Sequence, residues 1–499
     1  MFYRSTRNAA EKVSAAEAIV KGISNDGGLF VPSEIPQVSL EKIKELTEAD
    51  YRTRAKSIMS LYLTDFTGEE IDYCVNGAYN AESFGSDAIA PVHSLNESAN
   101  ILELWHGPTC AFKDMALQIL PYFMTCSMKK CNIDKEVVIL VATSGDTGKA
   151  ALEGFADVPG TRILVFFPEN GVSEIQKLQM LTRRGENVGV ASVYGNFDDA
   201  QTGVKLIFGD KEYNKVLEEN GFRLSSANSI NWGRLLPQIV YYFSAYCDMV
   251  KAGRINVGDK INICVPTGNF GNILAGWYAK NMGLPVNKFI CASNSNNVLT
   301  DFIATGVYDK NRSFKTTVSP SMDILISSNL ERLLFNITGD EEQVASWMKE
   351  LNTVGKYEVT EETKNVIADN FFGGFCDDAD TQKTISAVWN EYKYLMDTHT
   401  AVGYNVYMQY AEKTGDKTPT VIASTANPYK FNSAVLGAVS PETDLSSMDE
   451  FEILQTLNNK TGLEIPASLA ELKNKEKRFD TKCEKEDMVR VVSKMLGIN

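Results

Sequence analysis

At 499 residues the chain is too long for one ordinary core and implies two or three domains. Its 44% hydrophobic and 23% charged residues are those of an ordinary water-soluble globular protein, with no apolar run near the ~18 residues of a membrane span. A formal charge of -15 argues against nucleic acid or an anionic membrane as partner, and it means that any phosphorylated substrate must be held by local donors that overcome the global field.

The start, MFYRSTRNAAEK, lacks the apolar stretch of a secretory signal. Nine cysteines, an odd number at scattered spacings, fit free thiols in a reducing compartment, so a cytoplasmic enzyme is the expectation. Histidine stands at 93, 106 and 399 and makes no zinc-ligand spacing with Cys126 and Cys131, so no catalytic metal is expected.

Residues 1–90 combine DGGLFVPSEIP with a charge-rich helical run at 39–63 and read as an accessory domain. Next comes WHGPTCAFKDMALQ at 105–118. Gly107-Pro108 is a turn signal, Thr109 offers a capping hydroxyl, and Met115, Ile119 and Phe123 recur at helical spacing. Asp114 in the first turn suits the positive end of the helix dipole. Lys113 then projects from a helix start between Phe112 and Met115. A lysine desolvated there loses preference for its charged form and can attack a carbonyl to form a Schiff base. Local chemistry alone leaves an alternative open, a lysine whose stem packs while its head reaches water.

From 137 the pattern alternates strand, polar loop and helix. VVILVA at 137–142 precedes TSGDTG, RILVFF at 162–167 precedes PENGVSE, and a further strand spans 188–193. Such alternation implies a parallel sheet with helices on both faces and ligands beyond the carboxyl ends of the strands. After an aromatic helix at 239–250, core or interface, a second unit opens with a strand at 261–265 and the loop PTGNFGN. The expected organisation is α/β throughout: an accessory domain at 1–90, a first α/β domain at 91–235, a second at 236–319 and 401–440, a helical insert at 320–400, and a C-terminal extension at 441–499 packed outside.

Four further stretches could carry chemistry. PTGNFGN at 266–272 joins a strand to a helix, and its glycines permit close approach of backbone N–H groups to an anion; a tight structural turn fits the spacing equally well. TSGDTGKAA at 143–151 fails the P-loop pattern, which needs glycine at 143 and Ser or Thr at 150, yet its place at a helix start still suits an anion. Lys149 within it is a rival to Lys113. In NSINWGR at 228–234, Arg234 can clamp a phosphate with two parallel hydrogen bonds, or it pairs with the acidic surface. STANPYKF at 424–431 follows the strand TVIAS.

HGPTCAFKD at 106–114 closely resembles the lysine motif of the threonine synthase family, whose cofactor is pyridoxal 5'-phosphate (PLP). STR at 5–7, DGGLFVP at 26–32, SSNLERLL at 327–334 and STANPYKF resemble the same family in the same order. The resemblance implies a fold-type-II PLP enzyme, with the cofactor between two α/β domains. It implies Lys113 as the catalytic and cofactor-binding lysine, with Gly268, Asn269, Phe270, Gly271 and Asn272 at the cofactor's phosphate. Thr425 falls at its ring nitrogen, and Asp146 stands where related enzymes carry asparagine at the phenolic oxygen. Ser144, Thr147, Asn228, Asn231, Arg234 and Lys430 become substrate residues. Asn427 stands where many relatives have histidine. The implied reaction converts O-phospho-L-homoserine and water to L-threonine and phosphate, by a monomer or a homodimer. The rivals are a PLP lyase or dehydratase acting on another amino acid, separable by its products, and a catalytically silent relative, against which Lys113 and the glycine loop argue.

Overall fold

The computed structural model describes residues 1–8, 10–143, 145–170 and 172–498, with the backbone alone at 198. Two parallel sheets organise the chain. The first runs Lys482–Cys483, Val188–Val193, Thr161–Pro168, Glu136–Ala142, Phe222–Ser225, with every neighbouring pair parallel. Glu136–Ala142 carries a continuous apolar run because both of its faces are covered, and its residues from Val137 onward are buried.

The second sheet runs Phe371–Phe375, Val286–Ser293, Ile261–Pro266, Thr420–Ser424, Ala99–Glu103, Val92–Ser94. It is parallel except for the antiparallel pair at the Val92–Ser94 edge. Three expected boundaries move as a result. Residues 92–103 pair with the second sheet although they precede the first. The 320–400 segment is largely helical but contributes the edge strand Phe371–Phe375. The 441–499 extension supplies Lys482–Cys483 to the edge of the first sheet. Pattern reading misses such edge strands because they are short and get their partners from distant chain.

The helix Trp232–Lys251 runs through the interior and is buried around nearly its whole circumference. Tyr241, Tyr242, Phe243 and Tyr246 are all core residues, which decides their role within the chain. Helices Ala15–Lys21, Leu40–Thr47 and Tyr51–Met59 of the accessory region pack on this helix. Arg54 fixes the junction through Ser244 Oγ at 2.9 Å and Asp248 Oδ1 at 2.6 Å. Among the described residues no helix is long and apolar enough to cross a membrane.

Candidate active site

Strand-end loops of both sheets and a turn at 320–322 converge on one cleft. The segment carrying Lys113 is held by the chain after the strand Thr420–Ser424. Phe112 N donates to Thr425 O at 2.8 Å, Asn427 N donates to Cys110 O at 3.1 Å, and Ala111 bridges Ala426. Thr109 does not cap the helix. Its N and Oγ1 each donate to the Asp114 carboxylate at 2.8 Å, closing the turn upon itself. Burial lifts Asp114 to about 6, with Thr109's hydrogen bonds opposing the rise. A Cβ on Gly107 would lie 2.4 Å from Asp114 Cβ, so this turn admits no side chain there. The helix itself is short, Asp114–Leu117, and a second begins at Leu120, in place of one helix through Phe123.

Lys113 lines the cleft, with Nζ 5.6 Å from the Phe112 ring centroid and 3.9 Å from Asp146 Oδ2. Burial lowers its pKa to about 8 against the pull of Asp146, and Lys430 and Arg234 push it further down. The amine is therefore neutral in about a tenth of molecules at pH 7, far more than an ordinary lysine.

Asp146 opens the helix Asp146–Phe155 and stands among three lysines. Its Oδ1 accepts from Lys430 Nζ at 2.6 Å and Gln176 Nε2 at 2.9 Å, and forms an ion pair with Lys149 at 2.8 Å. Its Oδ2 accepts from Ser321 Oγ at 3.2 Å. Burial opposes ionisation, but Lys149, Lys430 and Lys113 hold the carboxyl well below its ordinary range. The cluster gives this part of the molecule a local cationic surplus within an acidic chain.

The 266–272 loop lines the opposite wall. Phe270, buried, adopts φ 64°, which turns the backbone into the helix Gly271–Asn281. No side chain caps that helix start, so its first N–H groups are free to bind an anion. The loop is braced from outside: Ser327 Oγ donates to Gly268 O at 2.7 Å, and Asn329 N and Nδ2 both donate to Asn269 O at 3.1 Å. A Cβ at Gly268 would come 2.8 Å from Ser321 O, so glycine lets the loop and the 320–322 turn touch.

Arg234 is buried, not at the surface, and its side chain lines the cleft. Nη1 donates to Ala227 O at 2.5 Å, and burial lowers its pKa to about 10. Among the described residues Arg234 Nε and Asn272 Nδ2 are buried donors without a hydrogen-bond partner. Unpaired donors at a free helix start suit a site built around an anion. Thr425 lines the cleft, whereas the neighbouring Ser424 hydroxyl accepts from Trp105 Nε1 and Thr400 Oγ1, both at 2.9 Å. Thr147 also faces the cleft.

Other expected site residues stand differently. Asn231 corrects the sequence reading: it is the cap of the helix Trp232–Lys251, accepting from Gly233 N and donating to Ile19 O and Ser226 O, all at 2.9 Å. Asn228 is half-buried in the preceding loop and is not among the cleft-lining residues. Lys430 reaches the site through Asp146. Asn427 turns its Oδ1 to Tyr429 N at 3.0 Å. Ser144 lies outside the described residues.

Ser321, Met322 and His399 line the cleft although no motif had singled them out. His399 Nδ1 lies 2.8 Å from Asp397 Oδ2, while Nε2 accepts from Ser321 N at 3.2 Å. That pairing fixes the neutral tautomer with the proton on Nδ1 and holds the 320–322 turn over the cleft. The available signal was Asp397 in DTHT, a helix cap that also orients the histidine two residues on.

A family model described as "Threonine synthase N terminus" matches residues 2–79, and "Threonine synthase, C-terminal" matches residues 400–492. The chain is 42% identical over 465 residues to human "Threonine synthase-like 1", covering 90% of this chain and 61% of that protein's own length. It is 39% identical to the threonine synthase of Schizosaccharomyces pombe, covering 89% of this chain and 90% of the relative. Among solved structures, PLP-bound threonine synthase from Brucella melitensis superposes with a TM-score of 0.87 at 35% identity and covers 99% of both chains.

Proposed function

The chain belongs to the threonine synthase family, and on that premise we propose that it binds PLP and converts O-phospho-L-homoserine and water to L-threonine and phosphate. The observation that carries this reading is the pairing of a buried lysine, lowered to about 8, with an uncapped helix start and unpaired buried donors across one cleft. The nine free thiols support a reducing, cytoplasmic setting.

PLP, when bound, supplies an aldehyde and a conjugated ring that delocalises the negative charge left when a proton departs from the substrate's α-carbon. Lys113 is the residue that would hold PLP by that aldehyde. Its amine, when free beside the substrate's α-carbon, would serve as the base that takes the α-proton and returns it. Gly268, Asn269, Phe270, Gly271 and Asn272 would hold the cofactor's phosphate with backbone N–H groups, and the Thr425 hydroxyl would serve the ring nitrogen. Asp146, held ionised by its lysines, would stand at the cofactor's phenolic oxygen. Arg234 receives the substrate's phosphate. Thr147, with Ser144, orients the substrate, and Lys430 adds charge through Asp146. The overall change would be loss of a β-proton, departure of phosphate from the γ-carbon, protonation of the γ-carbon to a methyl group, addition of water's hydroxyl at the β-carbon and return of a proton to the α-carbon. The turn at 320–322, held by His399, keeps bulk water from the reacting carbon.

Replacing Lys113 tests the assignment. Lys113→Ala should fold with near-native far-UV circular dichroism and lose at least about a thousandfold in turnover, since both anchoring and proton transfer go with it. Turnover within tenfold of the parent would remove Lys113 from the reaction.

A further inference from the structure

A second cavity, about 330 Å³ against about 70 Å³ for the cleft, lies on the other face of the helix Asp146–Phe155. Thr147 of this helix faces the cleft, while Lys149 and Glu153, one turn apart, face the cavity. Gln179, Thr182 and Arg183 form a wall, and Ser468, Leu472 and Lys475 of the 441–499 extension form the roof. A volume at the lower end of the usual pocket range, about 300–1,000 Å³, suits a small metabolite.

Its lining is cationic. Lys149, Arg183, Arg184 and Lys475 stand against Glu153 and Glu476, in a chain whose formal charge is -15. Arg183 Nη1 spends part of its charge on Glu153 Oε2 at 3.2 Å. Among the described residues, three buried polar atoms of the lining have no hydrogen-bond partner: Lys149 Nζ, Gln179 Oε1 and Arg183 Nε. Lys149 is 2% exposed, and its ion pair with Asp146 at 2.8 Å is not aligned as a hydrogen bond. Burial lowers Lys149 to about 7 against the pull of Asp146, and an anion in the cavity would favour its charged form. Burying a cation with unmet donors is costly unless something else meets them.

We propose that this cavity is a binding site for a small phosphate-bearing anion, separate from the reacting cleft. The anion's oxygens meet Lys149 and Arg183 from below, with Arg184 and Lys475 at the rim. Lys149 is 2.8 Å from Asp146, and Asp146 is 3.9 Å from Lys113. Charge bound in the cavity is thereby felt at the reacting amine. The extension at 441–499, which closes the cavity, acquires a binding role as well as a packing one.

The test is calorimetric titration of the PLP-loaded enzyme with inorganic phosphate, which needs no substrate and so stands apart from the proposed reaction. Arg234→Ala removes the phosphate contact of the cleft, and saturable binding should persist in that variant. Adding Arg184→Ala and Lys475→Ala, both exposed and outside the reacting cleft, should weaken the remaining binding at least about fivefold. Loss of all binding with Arg234→Ala alone, binding indifferent to the two rim substitutions, or no saturable binding to the parent enzyme would each overturn the proposal.

Discussion

At the residue scale the chemistry turns on how burial and neighbouring charge act on Lys113, Arg234 and the Asp146 carboxylate with its three lysines. Lys113 is lowered to about 8, and Arg234 to about 10, because each gives up water without a full counter-charge. Asp146 goes the other way: three lysines overcome its burial and keep it ionised. The sign of the pH effect follows. Below the Lys113 pKa the amine is protonated and cannot attack an aldehyde, so cofactor incorporation into apoprotein should rise with pH and level off above about 8. A stopped-flow measurement of the incorporation rate from about pH 6 to about pH 10 checks this, since each unit below the pKa costs about tenfold. A rate still climbing tenfold per unit beyond about pH 9.5 would mean that the lysine is unperturbed.

At the element scale the phosphate loop depends on helices far away in sequence. Arg332, wholly buried, donates from Nη1 to Asn329 Oδ1 at 2.6 Å, from Nη2 to Ile230 O at 2.6 Å and from Nε to Phe30 O at 3.0 Å. Its neighbour Glu331 accepts from Thr6 Oγ1 at 2.5 Å and from Arg7 Nε and Nη2 at 2.8 and 2.7 Å. STR, GGLFVP and SSNLERLL therefore meet in space and brace Asn269 through Asn329. Arg332 acts as a positioning residue, because a planar fork reaches three acceptors that a lysine cannot reach together. Arg332→Lys should weaken apparent PLP affinity about tenfold, or about 1.4 kcal/mol, with the cofactor-free protein losing only a few degrees of melting temperature. Unchanged affinity beside the same thermal loss would reduce Arg332 to a packing role. The motifs were visible in the sequence, but their meeting was not: a hydrogen bond between residues 7 and 331 leaves no periodicity to read. The family resemblance also implied Asn231 as a substrate residue, whereas its amide is consumed capping the helix that carries Arg234.

At the scale of the molecule, strand and helix alternation sufficed for two parallel sheets and for a site at their carboxyl ends, because that alternation is local. Sheet membership at the edges was not legible. Residues 92–103, 371–375 and 482–483 each join a sheet by pairing with chain remote in sequence. The helical insert, which suggested no function, supplies Ser321 and Met322 to the cleft and Asn329 to the loop brace, with the sequence pattern giving only their helical context. Lys113, Arg234 and Thr425 were nominated by motifs from three separate regions, and the fold brings all three into one cleft. The central claim is the reaction those residues perform together. The most direct measurement supplies the PLP-loaded enzyme with O-phospho-L-homoserine and quantifies phosphate and amino-acid products. Equal amounts of phosphate and L-threonine are the predicted result, whereas phosphate accompanied by a keto acid, or no turnover by enzyme with its cofactor bound, would contradict it.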